Sequence, residues 1–120
     1  MCQFMKVLQE RKFNDGVSYD EQNMRSRIFE PISVTENIQL SIQASHAHHC
    51  KPQMTLRYLD DYTHFELALF DENNFLTVGE VLPDFESLSE IKTYEGRVYS
   101  NVPTDLVEEL YLALMKPYEN

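Results

Sequence analysis

The sequence predicts an α+β fold: a small antiparallel sheet of about four strands with an N-terminal helix and a C-terminal helix packed on it. Three observations lead there. Strand-type stretches fill the middle of the chain, and helical patterns gather towards its two ends. The link "DENN" at 71–74 is too short for the crossover that a parallel strand pair requires. The length of 120 residues suits one domain, 1–120, with a core that needs no disulfide or metal. Within it, residues 1–37 read as an N-terminal extension, mobile or separately packed.

The elements follow in order. Residues 3–12 fit a short helix through Phe4, Met5 and Leu8, although "FMKVL" also reads as a strand. "NDG" at 14–16 is a turn signal. Ser18 and Glu21 have capping-box spacing ahead of a helix from about Tyr19 to Phe29, with Met24 and Ile28 on one face. Pro31 ends it, because its ring disfavours helical geometry at Glu30. "NIQLSIQAS" (37–45) alternates Ile38, Leu40, Ile42 and Ala44 with Gln39, Ser41 and Gln43, the period of a strand with one dry and one wet face. "HFELALF" (64–70) is a central strand, and "FLTV" (75–78) completes a hairpin with it. "LPDFESLSEI" (82–91) holds one or two helical turns through Phe85, Leu88 and Ile91, and "GRVYSNV" (96–102) is a fourth strand. The final helix has Thr104 as N-cap and Asp105, Glu108 and Glu109 in its first turns. Leu106, Val107, Leu110, Tyr111 and Leu114 make its buried stripe, and Pro117 stops it.

The charge is unevenly placed. The net charge is −10, and residues 59–120 hold fourteen acids against Lys92, Arg97 and Lys116. A field of that sign repels nucleic acid and anionic membrane and attracts basic surfaces. No apolar run approaches the roughly 20 residues of a membrane span. The first residues make a poor secretory signal, and Cys2 and Cys50 read as reduced thiols of a cytoplasm.

"HAHHCKP" (46–52) places three of four histidines before Cys50. If the strand continues past Ser45, then His46, His48 and Cys50 share a face and could ligate zinc or another transition metal. His64, Cys2, Asp60 and Asp61 are the available fourth donors. A catalytic Cys–His pair is poorly served, since His49 and Cys50 would point to opposite faces. The third reading is a strand end passing into a loop, with Cys50 packed as a small apolar residue. No phosphate loop, nucleophile elbow or paired-carboxylate motif is present. Elsewhere, Tyr58, Tyr62, Tyr94, Tyr99 and Tyr118 lie near Asp60, Asp61, Glu95 and Glu119. Such a surface suits a basic partner, while Tyr99 in "RVYSNV" also fits the core.

Ala44, Ser45, His48, Cys50 and Pro52 (A-S-x-x-H-x-C-x-P), then "FELALF", then "VYSNVPTDLVEEL", form a layout that resembles small uncharacterised proteins of bacteriophages and prophages. The resemblance covers roughly residues 38–112, and no site residue comes with it. It implies an accessory protein acting in a bacterial cytoplasm, and it singles out His48 and Cys50 over His46 and His49.

Two function classes follow. The leading one is a non-enzymatic interaction protein without a cofactor, contacting neither nucleic acid nor membrane directly. Through Asp60, Asp61, Tyr62, Glu108 and Glu109 it would bind a basic host protein, such as a nucleic-acid-binding complex of a defence system. The alternative is a metal-binding or metal-dependent protein using His46, His48 and Cys50.

Overall fold

The computed structural model describes residues 2–11, 27–72 and 74–116. The expected 14–16 turn, the Ser18–Glu21 capping box and most of the 19–29 helix lie outside those residues, as do Pro117 and Tyr118. Among the described residues the elements are α1 (Gln3–Val7), β1 (Ile32–Ser33), β2 (Ile38–Gln43), β3 (His64–Asp71), β4 (Asn74–Leu76), α2 (Val78–Val81), α3 (Leu88–Ile91), β5 (Tyr99–Pro103) and α4 (Thr104–Met115). This is the expected α+β architecture, with a helix near each end and one antiparallel sheet. The strands run in the order β1-β2-β3-β4, and β5 pairs with the other half of β3.

The β2–β3 register sets two faces. Leu40 stands opposite Leu69 and Ile42 opposite Leu67, while Ser41 faces Ala68 and Gln43 faces Glu66. The first pairs turn inward with Phe65 and Val102, all at most 1% exposed. Over them lies α4, whose Leu106, Val107, Leu110, Tyr111 and Leu114 are buried as the heptad-like spacing requires. Phe4 of α1 completes this layer by packing edge-to-face on Phe65, with ring centroids 5.2 Å apart. Glu108 of α4 fixes α1 through the main chain: its Oε2 accepts from Gln3 N at 2.7 Å and its Oε1 from Phe4 N at 3.1 Å. Phe4, Met5 and Val34 belong to the same hydrophobic core as the later elements, with Cys2, Leu8 and Ile32 packed against it.

Several local expectations are corrected. Residues 27–29 are extended rather than helical. Phe29 bridges Glu10, and Arg11 N donates to Ile28 O at 2.8 Å. Gln43 explains why this geometry wins. Expected on the wet face, it is 7% exposed, with Oε1 accepting from Phe29 N at 2.8 Å and Nε2 donating to Phe29 O at 2.9 Å. The side-chain amide thus continues the sheet with the hydrogen bonds a neighbouring strand would make.

At the hairpin, Glu72 has a left-handed φ of 54°. The third strand is displaced to Asn74–Leu76, because Thr77 caps α2. Thr77 Oγ1 accepts from Glu80 N at 3.1 Å, and Glu80 Oε1 accepts from Thr77 N at 2.9 Å. "TVGE" thus carries a capping-box spacing that outweighs the strand-forming Val78. Pro103, not Thr104, occupies the cap position of α4. Thr104 instead bonds back to the preceding loop, with N to Thr63 O at 3.0 Å and Oγ1 to Tyr62 O at 3.3 Å.

Candidate functional site

The His/Cys stretch is built by the end of β2. The strand stops at Gln43, and His48 N donates to Ser45 O at 3.1 Å, turning the chain. The premise that put His46, His48 and Cys50 on one strand face therefore does not hold. Ser45 Oγ and His48 Nδ1 share a hydrogen bond of 2.7 Å, and Ala47 N donates to the same hydroxyl at 3.2 Å. The Cys50 thiol is buried and donates towards Ser45 O at 3.3 Å and Pro52 O at 3.4 Å. Burial, opposed by the Ser45 hydrogen bond, holds this thiol above its ordinary pKa, which disfavours the thiolate that ligation or nucleophilic attack needs. Among the described residues no group of three His, Cys, Asp or Glu side chains is placed to hold a metal ion.

Ala44, Ser45, His48, Cys50 and Pro52 thus interlock with one another or with the strand end. His46 and His49 are held through their backbones, His46 N to Thr55 Oγ1 at 3.1 Å and His49 N to Glu66 Oε1 at 3.1 Å. From Ala44 the network runs into Arg27, which is 2% exposed. Its guanidinium donates to Ala44 O and Leu56 O, both at 2.7 Å, and to the Tyr62 hydroxyl at 3.1 Å. It also stacks on the Phe29 ring with 4.7 Å to the centroid.

Burial is the main cause that pushes His48 below its ordinary pKa of 6.5, with Glu66 opposing and Arg27 and His49 assisting. The folded chain therefore binds this proton less readily than the unfolded chain. The associated stability is whole above the unfolded value and is lost as pH falls below it. Urea midpoints should therefore drop between about pH 7.5 and about pH 5.5. The drop should be shallower in His48→Asn, and an identical slope in that variant would assign the effect to other groups.

The expected partner-binding residues divide. Asp60 and Asp61 are exposed on a 3₁₀ turn, Leu59–Asp61. Tyr62 is no surface anchor. It is 2% exposed, with its hydroxyl donating to Met54 O at 2.6 Å and accepting from Leu56 N at 2.7 Å. Glu108 is engaged with α1, and Glu109 accepts from Ser87 Oγ at 2.6 and 2.8 Å. Asp60, Asp105 and Glu108 gather near Cys2, where burial first and then these acids raise the thiol pKa. Glu109 instead borders a groove beside Leu82, Phe85 and Leu112. The five residues therefore do not make one surface. Arg27 and Gln43 escaped the sequence reading, because a polar residue in an amphipathic pattern signals solvent unless its distant partners are known.

Comparison with protein-family models, curated proteins and solved structures finds no match to this chain. Among the described residues, no helix is long and apolar enough to cross a membrane.

Proposed function

We propose that this chain is a non-enzymatic interaction protein that binds a basic protein surface. One observation carries the reading. Residues 59–116 hold thirteen carboxylates against Lys92, Arg97 and Lys116. Among the described residues none of these carboxylates forms an ion pair with a Lys or Arg side chain, and the Arg11–Glu30 pair, at 2.8 Å, lies outside that stretch. The acidic field of this half is therefore not cancelled by local pairing and acts outward on whatever approaches. A cationic protein gains from it, whereas a nucleic acid is repelled. Together with the resemblance to phage and prophage proteins, this supports an accessory protein in a bacterial cytoplasm. Its partner would be a host protein with a nucleic-acid-binding surface, which the acidic half engages as a charge mimic.

The test is capture from a bacterial lysate at about 50 mM and about 500 mM salt, followed by association kinetics with the retained protein. A basic protein should be held at low salt and shed at high salt. Asp60→Lys with Asp61→Lys should slow its association about three- to tenfold, because these exposed charges steer encounter. Reversal at Glu108 or Glu109 is less informative, since both hold other elements in place. A captured partner that is acidic, or one whose binding ignores salt and the Asp60/Asp61 reversal, refutes the reading.

A further inference from the structure

The outer face of the sheet carries a groove of about 470 Å³, on the side away from α4. Ser41, Ala68 and Phe70 form its floor, and Phe75 stands on one wall. Phe75 pairs with Phe70 across the hairpin and is 69% exposed, the most exposed of the large hydrophobic side chains described. Burying such a ring is favourable and needs no rearrangement of the core beneath it.

Among the described residues, the permanently charged groups lining the groove are of one sign. Glu66 lies along it and Glu72 at its hairpin end, and among the described residues no Lys or Arg side chain lines it. Glu66 is held in place, its Oε1 accepting from His49 N at 3.1 Å. His48 also lines the groove, and burial disfavours its charged form, so it offsets little of the acidity near neutral pH. Glu66, Ala68 and Phe70 follow one another at every second position of β3, and Glu72 lies in the turn just past its end at Asp71, so the two carboxylates are no more than roughly 20 Å apart with apolar surface between them. An extended segment with an apolar residue at its centre and a cation about three residues to either side has the matching pattern.

We infer that this groove is a docking site for an extended basic segment of a partner protein. An apolar side chain of that segment sits against Phe70 and Phe75, and flanking arginines or lysines reach Glu66 and Glu72. The inference rests on the proposed binding of a basic protein and locates the contact. The remote acids steer the approach, and the groove holds what arrives.

The probe is a synthetic nonapeptide with a central leucine, an arginine three residues to either side and serines elsewhere, titrated into the isotope-labelled full chain at low salt. The expected result is saturable amide shifts centred on Ser41, Ala68, Phe70 and Phe75. Affinity should fall about tenfold in Phe75→Ser, and about tenfold again when the leucine is replaced by serine. Glu66→Gln with Glu72→Gln should remove most of the salt dependence of peptide binding while the fold, read from the remaining resonances, is kept. Shifts that appear around Asp60, Asp61 or α4, with Phe75→Ser binding as well as the parent, overturn the groove and leave the basic-partner reading standing. Concentration-dependent shifts on this face without peptide make a second copy of the chain the occupant and also overturn it. If the peptide does not bind while the captured basic protein does, and Phe75→Ser leaves the dissociation rate of that protein unchanged, the groove is again refuted and the proposed function is not.

Discussion

Arg27→Met is expected to destabilise the fold by about 3–5 kcal/mol, although methionine keeps an unbranched stem in place of the arginine's aliphatic one. The guanidinium is buried and donates to two carbonyls, Ala44 O and Leu56 O, as well as to the Tyr62 hydroxyl. Methionine leaves these acceptors without that donor, and each buried acceptor so stranded costs about 1–3 kcal/mol. The loss should be concentrated where the network is. Amides of 44–56 should lose exchange protection ahead of α4, because Arg27 ties the loop at Leu56 to the end of β2. Arg27→Lys should recover only part of the stability, since a single ammonium cannot reproduce the planar fork that reaches three oxygens and stacks on Phe29. A methionine variant with the parent's urea midpoint would show that the carbonyls find other donors and that the network is dispensable.

Phe65→Ala should cost about 3–5 kcal/mol, the usual range for removing a fully buried aromatic ring. Phe65 is 0% exposed and joins three parts of the molecule: it lies on β3, meets Phe4 of α1 edge-to-face, and lies 5.7 Å from the Tyr62 ring. Its removal leaves a cavity that the sheet cannot close, because Phe65 pairs with Val102 on β5 where the ladder already shifts register. Phe65→Leu, which keeps most of the apolar volume, should cost much less. Chemical denaturation of the two variants checks this. Equal losses for alanine and leucine would mean that ring packing, not cavity volume, sets the cost.

The strongest periodic segments were legible from sequence. The alternation in 38–44 and the apolar run in 64–70 became β2 and β3, and the C-terminal stripe became the buried face of α4. These signals are local, and a fold with one dry sheet face obeys them. The errors lie where two local codes compete. At 77–80, a strand-forming Val78 sits inside a capping box, and the box prevailed because it satisfies both Thr77 N and Glu80 N. At 27–29, a helical continuation lost to extended pairing with residues 9–11 and to the Gln43 amide, partners distant in sequence.

The candidate site was less legible, for the same reason. Acidity near Tyr58 and Tyr62 signals a binding surface only if both rings face outward. Tyr58 is 63% exposed and Tyr62 is 2% exposed, although only three residues separate them from one another. Glu108 and Glu109 are neighbours that reach opposite structures, one the start of α1 across 105 residues of sequence and the other Ser87.

By itself, the sequence determined the α+β class, the antiparallel hairpin, the stripe of α4 and the concentration of negative charge in the second half. Each depends on a repeat or a sum over consecutive residues. Only the tertiary structure decided which polar groups are structural and which face outward. It turned the histidine stretch into a brace between Ser45, His48 and Cys50, buried Arg27 and Tyr62, and left Phe75 exposed beside Glu66 and Glu72. Those outcomes depend on which partner arrives across the fold to satisfy a donor, fill a cavity or cover a ring, and spacing along one chain does not encode that.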